Sequence, residues 1–470
     1  MTRISDNSMR RDPASFRDPS GFVFERGGAI YRKVNSVYMA QYGRLMNSGL
    51  YDVLVREGLI VGHEEVEPDG AGDGGIVIRP EQVPYISYPY EWCFEQYRDA
   101  ALATLRVQLF ALKFGMVLKD ASAYNIQFIN GRPLLIDTLS FDMYAETPWV
   151  AYGQFCRHFL APLFLMAHVD RRLGKMTQNH IDGIPLDLAD CILRGKGGLA
   201  VWQHIHLHAK AVKSYGEAGK KEGKAVQPVM KKYMLVSIMD SLVRIVKRLK
   251  PKGGVTEWGN YYAATNYEEA AARHKEAAVK GYLAEVMKRK GSVLVWDLGA
   301  NDGRYSRCAL EYGADVVAFD IDHAAVGRNY LEARETKASM LPLLLDLTCP
   351  SPAIGFANNE RKTIDGRRKP DVIMTLALIH HLAISNNLPL EIIASWLSPL
   401  CEYLIMEFVP KEDSQVKILL KTRVDIFPNY TVDGFESAFS GYFTLCEKVR
   451  IDSSERTLYL FRSISAAKEE

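Results

Sequence analysis

Apolar residues fall along this chain in two different rhythms. Over the second half, short runs rich in Val, Ile and Leu at 293–298, 316–319, 340–345, 372–379 and 403–408 are separated by segments of helical period. Their apolarity is continuous rather than alternating, which predicts strands buried on both faces, as in a parallel sheet covered by helices. Two last runs, 443–451 and 457–461, flank the polar turn 452–455 and read as a closing hairpin. The C-terminal half is therefore expected to be a doubly wound α/β domain. In the first half, 21–34 reads as a hairpin around Gly27 and Gly28, 38–58 and 100–112 as helices, and 86–91 as a hinge. Asp137 ends a short predicted strand that follows the Asn130-Gly131 turn. Between the halves, Met234, Ile238, Leu242, Ile245 and Leu249 recur at three- and four-residue steps, which predicts an amphipathic helix over 230–249.

Composition adds bounds. A length of 470 residues argues for two domains, and 48% hydrophobic with 24% charged residues describes a folded globular chain. Lys+Arg 58 against Asp+Glu 56 leaves a net charge of +2, so there is no global field to capture nucleic acid or an anionic membrane. Charge is concentrated in 210–252, where twelve Lys/Arg meet three Asp/Glu and Gly216, Gly219 and Gly223 intervene. With no aromatic interleaving, this reads as a linker followed by a helix with a solvated basic face. The seven cysteines are widely spaced with no C-x-x-C pair, so neither a disulfide framework nor a zinc knuckle is indicated. Residues 1–18 lack an apolar signal region, and the longest apolar run, 159–169, is far short of the ~20 residues of a membrane span. A cytoplasmic protein is expected.

Chemistry concentrates at 293–306, where a buried strand runs into Asp297-Leu-Gly299-Ala-Asn301-Asp-Gly303 and a helix begins near Arg304. The glycines allow a tight turn and close backbone approach by a ligand at a helix N-terminus. Asp320 ends the second strand 23 residues after Asp297, spaced to accept hydrogen bonds from a ribose diol, and Asp346 follows the third strand. The fourth run ends in Leu378-Ile-His380-His381-Leu382, and Glu407 ends the fifth.

Over 258–463 the sequence resembles the class I S-adenosylmethionine-dependent methyltransferases. An Asp precedes the first glycine of the loop where dinucleotide-binding folds have glycine, and that position favours S-adenosyl-L-methionine over a nicotinamide cofactor. The resemblance implies a seven-stranded Rossmann-like sheet whose final hairpin inserts an antiparallel strand. It implies Asp297, Gly299, Asn301 and Gly303 around the methionine part, Asp320 at the ribose hydroxyls and Asp346 at the adenine. It also implies acceptor chemistry at the end of the fourth strand, where His380 or His381 is the candidate general base; a histidine that only caps the strand end is the alternative. Glu407 is a second candidate, with a loop carboxylate as its alternative. The segments 350–355, 360–361 and 378–382 are similar to a group of bacterial methyltransferases known as host-specificity nodulation proteins. The activity so implied is methyl transfer, enzyme class 2.1.1, to a small-molecule or glycan oxygen; the cofactor motif does not specify the acceptor, and no oligomeric state follows from it.

In the first half, Asp120 and Asn125 stand five apart and Asp137 follows a tight turn, which resembles the protein-kinase-like superfamily. That resemblance implies a site for ATP and Mg2+ at Asp120, Asn125 and Asp137. Yet no G-x-G-x-x-G precedes it, no His-Arg precedes Asp120, and Arg32 or Lys33 stands at the phosphate-pairing position. A degenerate module, an active small-molecule kinase and a coincidental match of these residues all stay open, as do a bifunctional kinase-methyltransferase and a non-catalytic scaffold that retains both folds. His204, His206 and His208 alternate as on one side of an extended strand, but no ligand pattern accompanies them and no metal site is expected. The organisation expected is an α+β kinase-like domain over 1–209, a basic linker and helix over 210–257, and the methyltransferase domain over 258–470.

Overall fold

The computed structural model describes residues 10–66, 74–210, 229–253, 269–290, 292–421 and 423–465. Gly216, Gly219 and Gly223 of the predicted linker, and Trp258 at the start of the third predicted segment, lie outside them. The chain divides into two compact units, Met1–Gly253 with Pro352–Lys362, and Gly254–Ser351 with Thr363–Glu470. No described helix is long and apolar enough to cross a membrane.

In the first unit, strands β1 (Arg10–Arg11), β2 (Gly21–Arg26), β3 (Ala29–Val34), β4 (His63–Val66) and β5 (Ile76–Pro80) form a sheet in the order β1-β2-β3-β5-β4. The predicted hairpin is β2 with β3, in register from Gly21↔Val34 to Arg26↔Ala29. Gly27 and Gly28 take φ of 57° and 75°, the left-handed turn that matches strand twist. The helix expected over 38–58 is broken into α1 (Met39–Asn47) and α2 (Leu50–Arg56), because Gly49 lies at φ 81° and ends the right-handed run. Helix α3 (Phe94–Lys113) buries Tyr97, Leu105 and Leu112, and its buried Gln108 accepts a hydrogen bond from Leu118 N–H at 2.7 Å. That bond falls on the last residue of β6 (Met116–Leu118), which pairs with β9 (Phe141–Met143); β7 (Ile126–Ile129) pairs with β8 (Arg132–Leu135).

Two expectations change here. The basic helix α4 (Lys232–Arg248) packs against α3 inside the first unit instead of standing as a linker. Its buried residues are Leu235, Met239, Leu242 and Val246, so its apolar face is rotated from the one predicted, and only Leu242 and the flanking Leu249 are common to both. The first unit also takes in Pro352–Lys362 from the segment expected to be all methyltransferase. There Arg17 donates to both Glu360 oxygens at 2.8 and 2.6 Å, Lys362 N–H donates to Tyr88 Oη at 2.9 Å, and the Arg361 guanidinium lies 4.0 Å from the Tyr124 ring centroid.

The second unit holds α5 (Glu269–Met287), β10 (Leu294–Leu298), α6 (Arg304–Glu311), β11 (Asp315–Asp320), α7 (His323–Thr336), β12 (Met340–Leu344), β13 (Val372–Thr375), α8 (Leu390–Leu397), β14 (Tyr403–Phe408), α9 (Val432–Ser440), β15 (Phe443–Arg450) and β16 (Thr457–Ser463). Its sheet has seven strands among the described residues, in the order β12-β11-β10-β13-β14-β16-β15. The first five are parallel, and β16 inserts antiparallel between β14 and β15, the arrangement the resemblance implies. Every residue of β10, β12, β13 and β14 is buried, as continuous apolar runs require. Each large apolar side chain so buried contributes about 1.5–3 kcal/mol. The fourth strand stops at Thr375 rather than 379, because the chain turns through Ala377 at φ 52°.

Candidate functional site

At the carboxyl ends of β10 and β11 the chain builds a cradle from its own backbone. Gly299 and Ala300 N–H both donate to Phe319 O at 2.9 Å, which draws the loop against β11. Asn301 takes φ 46° and donates its N–H to Asp320 Oδ2 at 2.7 Å, while Asp320 Oδ1 accepts Asp322 N–H at 2.8 Å. Asn329 Nδ2 closes the turn on Asn301 O at 2.7 Å. Gly303, at φ 75°, opens α6; a Cβ there would come within 2.9 Å of Asn329 Oδ1, so only glycine keeps that contact. A Cβ on Gly299 would meet Leu378 at 3.3 Å. The cradle therefore depends on both glycines.

Asp297 lies beneath this loop, 2% exposed, and accepts a hydrogen bond from Ser306 Oγ at 2.6 Å. Burial pushes its carboxyl up to about 6, against the Ser306 bond and the nearby Lys275 ammonium. Burial also raises the Asp320 carboxyl, and the backbone N–H groups it accepts oppose that. Asp346 stands two residues after β12, where Oδ1 accepts Thr348 N–H at 2.8 Å and Thr348 Oγ1 at 2.6 Å; Oδ2 carries no hydrogen bond among the described residues. The backbone cradle, the buried carboxylate below it and two acidic side chains at successive strand ends fit S-adenosylmethionine.

His380 and His381 follow β13, with ring centroids 4.1 Å apart. His380 is fully buried, and neither ring nitrogen has a hydrogen-bond partner among the described residues. Burial first, then the neighbouring positive groups, holds it well below the usual histidine range. His381 is pushed down to about 4 by burial and by Arg456. Both rings are neutral at cellular pH.

Glu407 is no loop carboxylate. It lies within β14, fully buried, with Lys275 Nζ 2.6 Å from Oε2 and Arg456 Nη1 3.4 Å from Oε1. Arg456 also binds Asp413 at 2.7 Å. Sequence reasoning missed Lys275, Arg456 and Asp413. A signal for Lys275 was present, since it falls in the buried stripe Ala271, Lys275, Val279, Tyr282 and Val286 of α5, a lysine where an apolar residue is expected.

In the first unit, Asp120, Asn125 and Asp137 are brought together. Asp120 Oδ1 accepts Ser122 N–H at 2.9 Å and Gln154 Nε2 at 2.7 Å, and the neighbouring Asn125 side chain favours its charged form. Burial raises the Asp120 carboxyl, and the Asp137 charge raises it further. Asn125 Nδ2 reaches Ser140 Oγ at 3.3 Å. Asp137 accepts Leu139 N–H and Ser140 Oγ, each at 2.8 Å, and Arg32 Nη1 lies 2.7 Å from its Oδ1. Of the two basic residues considered on that strand, Arg32 is thus the one on Asp137. These contacts supply the Asp137 carboxylate with a cation from the chain itself, and no group of three His, Cys, Asp or Glu suited to a metal occurs among the described residues. The donor set does not fit a magnesium ion without displacement of Arg32.

The three alternating histidines lie on a helical stretch, not an extended strand. His204 Nδ1 pairs with Tyr152 Oη at 2.7 Å, His206 Nδ1 with Asp190 at 2.8 Å, and His208 stacks on Tyr152. Helical pitch sends His206 to a different partner from the other two.

No protein-family profile matches the chain. It is 33% identical over 480 residues to nodulation protein NoeA of Rhizobium meliloti strain 1021, across 98% of this chain and 99% of that protein. Among solved structures, the N-methyltransferase NodS from Bradyrhizobium japonicum WM9, in complex with S-adenosyl-L-homocysteine, aligns with 45% of this chain and 100% of its own at 11% identity and a TM-score of 0.32. Magnesium protoporphyrin IX methyltransferase ChlM from Synechocystis PCC 6803, with bound S-adenosyl-L-homocysteine, aligns with 44% of this chain and 93% of its own at 19% identity and a TM-score of 0.30.

Proposed function

The chain belongs to the family of nodulation protein NoeA, and on that premise we propose that its second unit is an S-adenosylmethionine-dependent methyltransferase acting on a small-molecule or glycan oxygen. The observation that carries this reading is the loop held by two left-handed glycines, Gly299 and Gly303, between a buried Asp297 and Asp320 at the ends of adjacent parallel strands. Asp297, Gly299, Asn301 and Gly303 would hold the methionine part, Asp320 the ribose hydroxyls and Asp346 the adenine amino group. When bound, S-adenosylmethionine supplies a methyl group on a sulfonium, which passes to the acceptor oxygen by in-line displacement while that oxygen gives up its proton. His381 or His380 is the group assigned to take the proton, since a neutral imidazole keeps a lone pair available. Its low basicity suits removal of the proton only as positive charge develops on the oxygen.

The first unit is read as a kinase-like module that does not transfer phosphoryl groups. Support comes from Arg32, whose guanidinium lies on Asp137 where an ATP-bound magnesium would need the carboxylate. Three measurements test the pair of readings. Calorimetry with S-adenosylhomocysteine should give saturable binding to the full chain, and its absence in folded protein removes the methyltransferase reading. Incubation of cell extract with isotopically labelled S-adenosylmethionine and the protein should label one product. A parallel incubation with labelled ATP and magnesium should label none; label lost in Asp120→Ala would establish the bifunctional alternative instead.

A further inference from the structure

After β14 the chain reverses the usual placing of polar and apolar side chains. A short helix, Ser414–Leu420, is capped by Asp413, whose Oδ1 accepts Gln415 N–H at 2.8 Å, and it buries Val416. Beyond it, polar groups tie the chain down. Lys411 Nζ donates to Asp425 Oδ2 and to Phe427 O, each at 2.7 Å, the Arg423 guanidinium donates to Ile384 O, and Tyr430 Oη donates to Val409 O at 2.8 Å. The apolar side chains stay outside: Ile418 is 52% exposed, Val424 80% and Ile426 63%. A single exposed isoleucine needs no explanation, but three large apolar residues within 418–426, on a stretch fastened by its polar groups, do. Charge on the same stretch is one-sided. Lys417, Lys421 and Arg423 are exposed, and neither lysine has an ion pair among the described residues. Asp425, the one acid of 417–429, is already paired with Lys411. The helix packs against the turn His381–Ser385, so the patch borders the end of β13.

We propose that 417–429 is a docking surface for an anionic lipid bilayer: Ile418, Val424 and Ile426 enter the interface while Lys417, Lys421 and Arg423 meet lipid phosphates. Apolar side chains interspersed with uncompensated cations match the two layers of such a surface, acyl chains below and anionic headgroups above. A second copy of this chain is a poorer occupant, because a symmetric contact sets the three cations against their own counterparts. The apolar part of a small ligand is poorer too, since it needs enclosing walls, and side chains exposed by 52%, 80% and 63% protrude. With a net charge of only +2 over the whole chain, the attraction is local and therefore readily screened by salt. Docking of this kind does not depend on the identity of the cofactor.

The test is flotation of the full chain with vesicles of phosphatidylcholine alone and of phosphatidylcholine mixed equally with phosphatidylglycerol. Wild type should float with the mixed vesicles, several-fold less with the neutral ones, and be released by salt. Val424→Ser combined with Ile426→Ser should lower partitioning about tenfold through lost apolar burial. Lys417→Gln combined with Lys421→Gln should lower it about fivefold for each lysine on mixed vesicles and leave neutral ones unaffected. Thermal midpoints equal to wild type show that these surface variants fold, and either double variant carries the test if the other does not. No flotation of wild type with mixed vesicles, or equal flotation with both kinds, overturns the inference. Wild-type flotation that neither double variant reduces assigns lipid binding to another part of the chain and overturns it as well. A wild-type dimer that Val424→Ser with Ile426→Ser converts to monomer, without change in flotation, gives the face to a second copy instead.

Discussion

The backbone N–H of Asn301 donates to Asp320 Oδ2 at 2.7 Å, so the glycine loop after one strand is fastened by the acid that ends the next. Asp320 therefore holds the loop, and on the proposed reading it is also the residue that meets the ribose hydroxyls. Its replacement by Ala removes the acceptor for both Asn301 and Asp322 N–H. Asp320→Ala should lose about 1–3 kcal/mol of S-adenosylhomocysteine affinity, roughly tenfold or more. Asp320→Asn keeps an oxygen acceptor and should lose less. Calorimetry on both variants checks this, and equal affinities in wild type and Asp320→Ala would remove Asp320 from the site.

His380 and His381 should respond differently to substitution. His380 buries two ring nitrogens that have no partner among the described residues, so His380→Phe removes polar atoms that gain nothing from the fold. Its thermal midpoint should be unchanged or higher, since an apolar replacement of similar shape is near neutral or stabilising. His381 is half-buried and carries the assignment of base more readily. His381→Asn should leave S-adenosylhomocysteine affinity intact and lower turnover of the labelled product by ~10². Full turnover in His381→Asn together with loss in His380→Phe would exchange the two roles.

How much of this was legible in the sequence depends on where the signal resides. The parallel sheet was, because strands buried on both faces write continuous apolar runs, and Asp297, Gly299, Gly303 and Asp320 stand where those runs end. The gathering of Asp120, Asn125 and Asp137 was also legible, as short-range spacing. Breaks inside elements were not: Gly49 splits a helix and Ala377 stops a strand through single left-handed residues that periodicity averages over. The pairing of Lys275 with Glu407 joins residues 132 positions apart, which no local pattern records. The same holds for Arg17 with Glu360, 343 apart, which places 352–362 in the first unit.

Acid sensitivity follows from His158, buried against Tyr124 and pushed down to about 3 by burial, then by the charges of Arg157 and Arg361. A histidine whose folded value lies below its unfolded value of about 6.5 is charged more easily in the unfolded chain. Its contribution is therefore present above pH 6.5 and lost progressively as pH falls from 6.5 toward 3. The size is on the order of 5 kcal/mol for the whole shift. His158→Phe should narrow the gap to wild type, or reverse it, between pH 7 and pH 4.5. Thermal unfolding of both proteins across that range checks the prediction, and a gap independent of pH would show that His158 does not titrate on unfolding.

The segment Pro352–Lys362 should depend on the first unit for its order. Glu360 is 5% exposed and held by both nitrogens of the Arg17 fork, a geometry stronger than a single neutral hydrogen bond. Arg361 lies over Tyr124, and Lys362 N–H is bound by Tyr88 Oη. In a chain of residues 254–470 all three partners are missing, while the seven-stranded sheet keeps its own core. Such a chain should still fold and bind S-adenosylhomocysteine, yet trypsin should cut it rapidly after Arg361 and Lys362, because cleavage follows the population of the opened segment. The full chain should resist at the same bonds, and Arg17→Ala in the full chain should lie between the two. Equal cleavage in all three would mean that the Arg17–Glu360 pair contributes nothing to the order of this segment.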